Sequence, residues 1–349
     1  EKPENDPPET GINYDILEGI DLLYNEQFDQ AEEIFQKIVS KSEKDPEGYF
    51  YLAMVSWSRL SVGFWSPEIV GEYRKRIDRT IEVAKARIGT KESGSYDYFY
   101  RGGALGFKGR FELMGGKWLA SFFLAREAID ALKACIRLDP QNKDVLLGLG
   151  TFDYYTARLS GVLKFLSYLL IRRGNKQDCL KKLHMAVDGA VYSSTEAKSV
   201  LLHIYLFLEQ DFKKALSLAE DLSERYTECP RHAVLKGLCH IRLNRDAEFR
   251  DTVDYLHRRG TMSPRKEKAL AWGRRAIYLE ASYDLIKGFY GEGRKKLTKI
   301  LSQADPENDP AMVAWPLIKI GMSYDLEGEK EKASHYYRQI LDMKNGSGA

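Results

Sequence analysis

Two stretches at opposite ends of the chain carry the same spacing. In GIDLLYNEQFDQAEEIFQKI, Gly19 is followed by Leu22, Ala31, Phe35 and Ile38; in GMSYDLEGEKEKASHYYRQI, Gly321 is followed by Tyr324, Ala333, Tyr337 and Ile340. The offsets from the glycine are 3, 12, 16 and 19 in both. QDFKKALSLAEDL repeats the second half with Phe212, Ala215, Ala219 and Leu222, and AREAIDALKACIRLDP sets Ala128, Leu132 and Cys135 ahead of Pro140. Internal repetition of this kind points to stacked supersecondary units that share one continuous core. Each unit reads as two antiparallel helices. The glycine lets the second helix approach, the alanine sits at that contact, and the aromatic four residues on lies on the same face and plugs the gap to the next unit. Asp45-Pro46, Asp139-Pro140 and Asp305-Pro306 are expected to end one unit and open the next helix. No alternating strand pattern of useful length is present.

The small, alanine, aromatic and proline positions together resemble the tetratricopeptide repeat (TPR) family. The resemblance is close over residues 12–46, 117–150, 194–226 and 310–341, and looser over 47–116, 151–190 and 230–305. It implies an all-α, right-handed solenoid of about eight helix pairs. A finer likeness, carried by the stretch from Gly102 to GLGTFDYY, is to exported bacterial TPR proteins with a GLGxYxYY-like segment and an apolar insertion. Helix starts are read near Ser95, Trp118, Ser194 and Ser263-Pro264, with Gly115-Gly116 breaking one helix from the next.

Charge gives little direction. The 53 basic and 51 acidic residues leave a net +2, so nothing general favours nucleic acid, and none is expected as a partner. Locally, His257–Ile300 holds 12 Lys or Arg and four acidic residues. Arg258, Arg259, Arg274 and Arg275 are therefore candidates for an anionic contact. Four cysteines are too few for a disulfide framework in a chain this size, and Cys135 reads as a buried thiol.

No catalytic motif is found: no HExxH, GxSxG, Walker loop or Rossmann fingerprint. Cys229, His232, Cys239 and His240 look metal-like, but a helix opened by Pro230 would set His232 and Cys239 about 10 Å apart, too far for one ion. Gly291-Glu292-Gly293 reads as an inter-helix turn and Asp153 as a carboxylate bonded to a neighbouring tyrosine. No catalytic residue, cofactor or metal is expected.

The glycines are more informative. Gly102, Gly106 and Gly109 follow Tyr98 at three- and four-residue steps, and mid-helix glycine costs about 1 kcal/mol against alanine. Close packing accounts for them, or a smooth wall does. The second reading gives a ligand or partner groove of Tyr98, Gly102, Gly106, Phe107, Phe111, Gly148, Phe152 and Tyr155. Beside it, LSGVLKFLSYLLI (residues 159–171) is too short and interrupted to span a bilayer. Its spacing fits an extra amphipathic helix that adds Leu163, Leu166 and Leu170 to the groove, or contacts a partner or lipid surface.

The expected organisation is an acidic, proline-rich tether over residues 1–11, one TPR-like superhelical domain over 12–344 with the insertion 158–174, and a tail over 345–349. The opening EKPENDPPET suits an exported chain, periplasmic and attached to the outer membrane as a lipoprotein; a cytoplasmic setting is the alternative. The function expected is a non-enzymatic scaffold holding a protein or peptide partner in the concave groove. The alternative is a carrier of an apolar, lipid-like small molecule in a pocket between the glycine- and aromatic-rich repeats and the insertion.

Overall fold

In a computed structural model, the protein is described over residues 12–62, 65–158, 176–307 and 309–343. These fold as sixteen α-helices in eight successive pairs: α1 (Tyr14–Tyr24) with α2 (Phe28–Lys41), α3 (Pro46–Ser61) with α4 (Pro67–Arg87), α5 (Ser95–Met114) with α6 (Trp118–Leu138), and α7 (Val145–Ala157) with α8 (Lys176–Gly189). Then follow α9 (Ser194–His203) with α10 (Phe212–Arg225), α11 (Pro230–Arg242) with α12 (Asp246–Met262), α13 (Lys266–Ile286) with α14 (Tyr290–Leu301), and α15 (Ala311–Leu326) with α16 (Lys330–Leu341). A π-helical segment, Ile204–Glu209, extends α9. No strand occurs among the described residues. Each helix packs on its predecessor and its successor, and first helices of successive pairs also touch at six of the seven steps. Second helices do not touch one another in that way, so the first helices line the inside of the curve. The chain is an all-helical repeat solenoid.

The repeat spacing has a direct steric cause. A Cβ on Gly19 would lie 2.3 Å from the Phe35 ring, and one on Gly321 would lie 2.4 Å from Tyr337. The aromatic thus fills the glycine notch of its own pair, and Phe35 also stacks on Tyr51 of the next pair at 5.2 Å. Asp45 caps α3 with Pro46 in its first turn, as expected. After Pro140 and Pro306, by contrast, the chain makes a turn first, and α7 and α15 begin only at Val145 and Ala311.

A second regularity escaped the spacing. Glu26, Gly116, Gln210, Asn244, Gly288 and Gly328 each adopt positive φ, and each lies two residues before the second helix of its pair. In five of these turns the following N–H reaches back five residues to a carbonyl at 2.8–2.9 Å: Gln27 to Leu22, Lys117 to Glu112, Arg245 to His240, Phe289 to Asp284 and Glu329 to Tyr324. That is the bond that closes a helix on a left-handed residue. Glycine takes this conformation freely and glutamine does not. Gln210→Gly, at φ 55°, is expected to raise stability by about 0.5–1 kcal/mol, read as a higher urea midpoint.

The stack curves enough for its first pair to meet its fifth and sixth. The Asn13 N–H donates to the Tyr192 hydroxyl at 2.8 Å, Arg225 Nη2 to Asp21 Oδ1 at 2.9 Å, and the Tyr226 hydroxyl to the same oxygen at 2.9 Å. The Tyr24 hydroxyl donates to Glu196, the Glu228 N–H to Asn25 Oδ1 at 3.3 Å, and the Cys229 thiol to Glu26 at 3.4 Å. The Tyr24 ring lies 5.2 Å from Tyr226 and 6.3 Å from His232. Farther along, Arg275 Nη2 donates to the Val62 carbonyl at 3.2 Å. The inner faces of the early pairs are therefore largely occupied by the protein itself.

This latch is sensitive to acid. Burial draws the His232 imidazole down to about 3 and that of His203 to about 4. An unfolded histidine binds its proton near 6.5, so below that pH the unfolded chain takes up more protons than the folded one and stability falls. Above about pH 7 both states are neutral and the effect is absent. The expected loss between pH 6.5 and 4 is about 1.4 kcal/mol per pH unit for each group. His232→Phe, which keeps a ring against Tyr24 and Tyr226, should make the fall in urea midpoint from about pH 7 to about pH 5 less steep by one such contribution.

Candidate functional site

The wall of glycines and aromatics expected to form a groove is mostly packed interior. A Cβ on Gly102 would meet the Leu132 side chain at 2.8 Å, and one on Gly148 would meet the same leucine at 2.6 Å. One buried leucine fills both notches, so close packing explains these two glycines. Phe111 is buried, 5.9 Å from Trp65 in a stacked arrangement and 5.0 Å from Tyr73. Phe107 is half-buried, 5.4 Å from Trp57. Both belong to the joint between the second and third pairs, and Tyr98 packs on the same cluster. Phe152 is half-buried and Tyr155 is 46% exposed. Leu163, Leu166 and Leu170, with the rest of the expected amphipathic helix, lie outside the described residues.

Gly106 differs from its neighbours. It is exposed, and nothing lies within 4 Å of the position a Cβ would take. Gly106→Ala is expected to stabilise α5 by roughly 0.5–1 kcal/mol, measured by thermal or urea denaturation.

The basic residues proposed for an anionic contact are mostly partnered within the protein. Arg259 pairs with Glu228 and lies 5.3 Å over the Trp272 ring. Arg274 pairs with Asp309 at 3.2 Å, and Arg275 holds the Val62 carbonyl. Of the four, only Arg258 is exposed. Asp153 pairs with Lys182 at 2.5 Å rather than with a tyrosine, and Gly293 sits within the first turn of α14 against Leu285. Among the described residues no cluster of His, Cys, Asp or Glu could hold a metal ion, and no helix is long and apolar enough to cross a membrane.

A cavity of about 250 Å³ opens where the N-terminal ends of α1, α3 and α5 converge, lined in part by Asn13, Glu47, Arg87, Asp97, Tyr100 and Tyr192. Two of its acids, Glu47 and Asp97, are already engaged. Glu47 accepts from Asn13 Nδ2 at 2.8 Å and from the Tyr100 hydroxyl at 3.0 Å. Asp97 accepts from the Gly94 N–H at 2.8 Å and pairs with Arg87 Nε at 3.1 Å. Burial raises the pKa of both. The arrangement ties helix ends together.

The free inner surface is at the other end of the stack. In α15, Ala314, Leu317, Ile320 and Ser323 are buried, and Gly321 faces Tyr337 of α16. Trp315, Met322 and Leu326 are 39%, 50% and 67% exposed. With Lys319 they fall at helical steps of four, three and four, one stripe along the inner face. The Lys319 ammonium lies 5.6 Å from the Tyr278 ring of α13. Burial pulls its pKa down, and no acidic side chain among the described residues pairs with it. Sequence reading missed this stripe, although its signal was present. Once Gly321 is assigned to the partner helix, the residues at offsets −6, −2, +1 and +5 must face elsewhere.

No protein-family model matches the chain, and no curated protein does. Among solved structures the chain is similar to the human IFIT1 dimer with PPP-AAAA, at 13% identity over 94% of this chain and 71% of that one, with a TM-score of 0.40. It is also similar to a monomeric IFIT1 mutant with m7Gppp-AAAA, at 13% identity over 91% and 57%, TM-score 0.41. The monomeric mutant with Gppp-AAAA gives 13% over 91% and 57%, TM-score 0.40. Likeness at this level carries neither a ligand nor a residue role to this chain.

Proposed function

We propose that the protein is a non-enzymatic binding scaffold that holds a polypeptide segment of a partner along the inner stripe Trp315, Lys319, Met322 and Leu326. The observation that carries this reading is the exposure of three large apolar side chains on an inner helix, beside a lysine with no acidic partner among the described residues. Covering them with apolar partner groups removes roughly 1.5–3 kcal/mol of exposure for each side chain fully buried, from which the cost of ordering the segment is subtracted. A carboxylate on the segment would meet Lys319 where its charge is poorly solvated, which favours an apolar sequence with an acidic residue. The groove thus moves from the central pairs to the last one. Leu132 occupies the notches at Gly102 and Gly148, which the alternative lipid-carrier reading placed in its pocket wall; the insertion that was to complete that pocket lies outside the described residues. An extracytoplasmic setting is part of the proposal; fractionation that finds the protein in the cytoplasm would overturn it.

The test is photo-crosslinking of the full-length protein in its own cells, with the crosslinker at Trp315, at Met322 and, as control, at the exposed Leu341. The same polypeptide should be captured from both stripe positions, and Leu326→Arg should remove it. Stripe positions that capture nothing beyond the control would contradict the proposal.

A further inference from the structure

The third pair is longer than the one after it. α5 and α6 have 20 and 21 residues, against 13 and 14 in α7 and α8. At 1.5 Å per residue α6 is roughly 10 Å longer than α7, and the turn between α5 and α6 lies at one end of this long pair. Residues 113–120 are exposed without a break. The exposed turn is apolar: Leu113 is 55% exposed, Met114 44%, Trp118 48%, Leu119 51% and Phe123 53%. Among the described residues none of the five belongs to a buried cluster of the core. A soluble surface does not ordinarily gather five such side chains at one turn.

Cations outnumber acids along the turn. Arg110, Lys117 and Arg126 are exposed, and the sequence between Arg110 and Arg126 holds one acid, Glu112. Glu112 is already paired with Lys117 at 2.9 Å. At roughly 200 Å² per large side chain, half-exposure of five gives about 500 Å², short of the ~800 Å² per partner of a stable protein complex. An exposed turn of Trp, Leu, Met and Phe flanked by Lys and Arg matches the boundary of an anionic bilayer. There the apolar groups enter the acyl edge, Trp118 sits at headgroup level, and the cations meet lipid phosphates.

We infer that the α5–α6 turn docks the protein on an anionic lipid surface through Leu113, Met114, Trp118, Leu119 and Phe123, with Arg110, Lys117 and Arg126 supplying the charge match. The site is separate from the α15 stripe, and either can fail without the other.

Flotation of the full chain with lipid vesicles tests it. The protein is expected to float with vesicles of phosphatidylcholine plus phosphatidylglycerol, to float at least tenfold less with phosphatidylcholine alone, and to be released by salt. Trp118→Ser with Leu119→Ser should reduce flotation at least tenfold, while Leu341→Ser leaves it unchanged. If the double variant melts early, Lys117→Glu with Arg126→Glu, confined to exposed side chains, should give the same loss. No flotation of the wild type, or equal flotation of the variants, would overturn the inference. So would concentration-dependent dimerisation that the double variant abolishes, or loss of folding in both variants, which would assign the turn to a second copy or to another part of the same chain.

Discussion

Tyr226→Ala is expected to destabilise the protein by about 3–5 kcal/mol, the range for removing a fully buried aromatic side chain, and to free the first helix pair. Tyr226 is 1% exposed. Its ring touches Tyr24 and lies 5.9 Å from His232. Its hydroxyl joins Asp21 on α1 and Thr195 on α9. One side chain thus binds α1 to two later pairs, and its loss leaves a cavity, an Asp21 carboxylate short of one donor, and a Tyr24 ring without its neighbour. Tyr226→Phe separates these contributions. It keeps the packing and should cost about 1–2 kcal/mol for the hydroxyl alone. Urea denaturation gives the two costs, and limited proteolysis within residues 12–45 reports release of the first pair. Tyr226→Ala with the stability of the wild type would mean that α1 does not pack there in solution.

Asp144→Ala is expected to cost about 3–5 kcal/mol. Asp144 is 1% exposed at the start of α7. Its carboxylate accepts from the backbone N–H groups of Tyr192 at 2.8 Å and Ser193 at 2.7 Å, and from the Tyr96 hydroxyl at 3.1 Å. Four segments depend on it: α5, α7, the turn after α8 and the start of α9. Alanine would leave those buried donors without an acceptor, which costs more than the bonds themselves contribute. Asp144→Asn retains one acceptor oxygen and should recover part of the loss. The urea midpoint reads both, and a cost below about 1 kcal/mol for alanine would contradict the network.

Much of the fold was readable because its rules are local. The glycine and aromatic at offset 16 meet in space as Gly19 and Phe35, and as Gly321 and Tyr337. The breaks at Met114, Trp118 and Ser194 follow from Gly115-Gly116 and from the Ser-Thr-Glu start. The left-handed turns were half visible: glycine marks Gly116, Gly288 and Gly328, while Glu26 and Gln210 hide the same geometry under ordinary side chains. What was not readable is the closure. Curvature in a solenoid accumulates from small rotations per pair, and no local spacing announces that Asp21 will meet Arg225. Phe107 and Phe111 looked like the wall of an open groove because their partners Trp57, Trp65 and Tyr73 lie on another pair. With the closure, the early inner faces are filled, and the free inner surface lies on α15.

Hydrogen exchange of the full chain, resolved to individual helices, tests that closure most directly. In an open solenoid the terminal pairs fray first, and α1 should exchange as fast as α16. With α1 latched to the fifth and sixth pairs, its amides over Tyr14–Tyr24 should exchange about tenfold or more slowly than those of α16, and close to the rate of α10 and α11. Exchange of α1 at the rate of a frayed end, with α10 and α11 still protected, would contradict it.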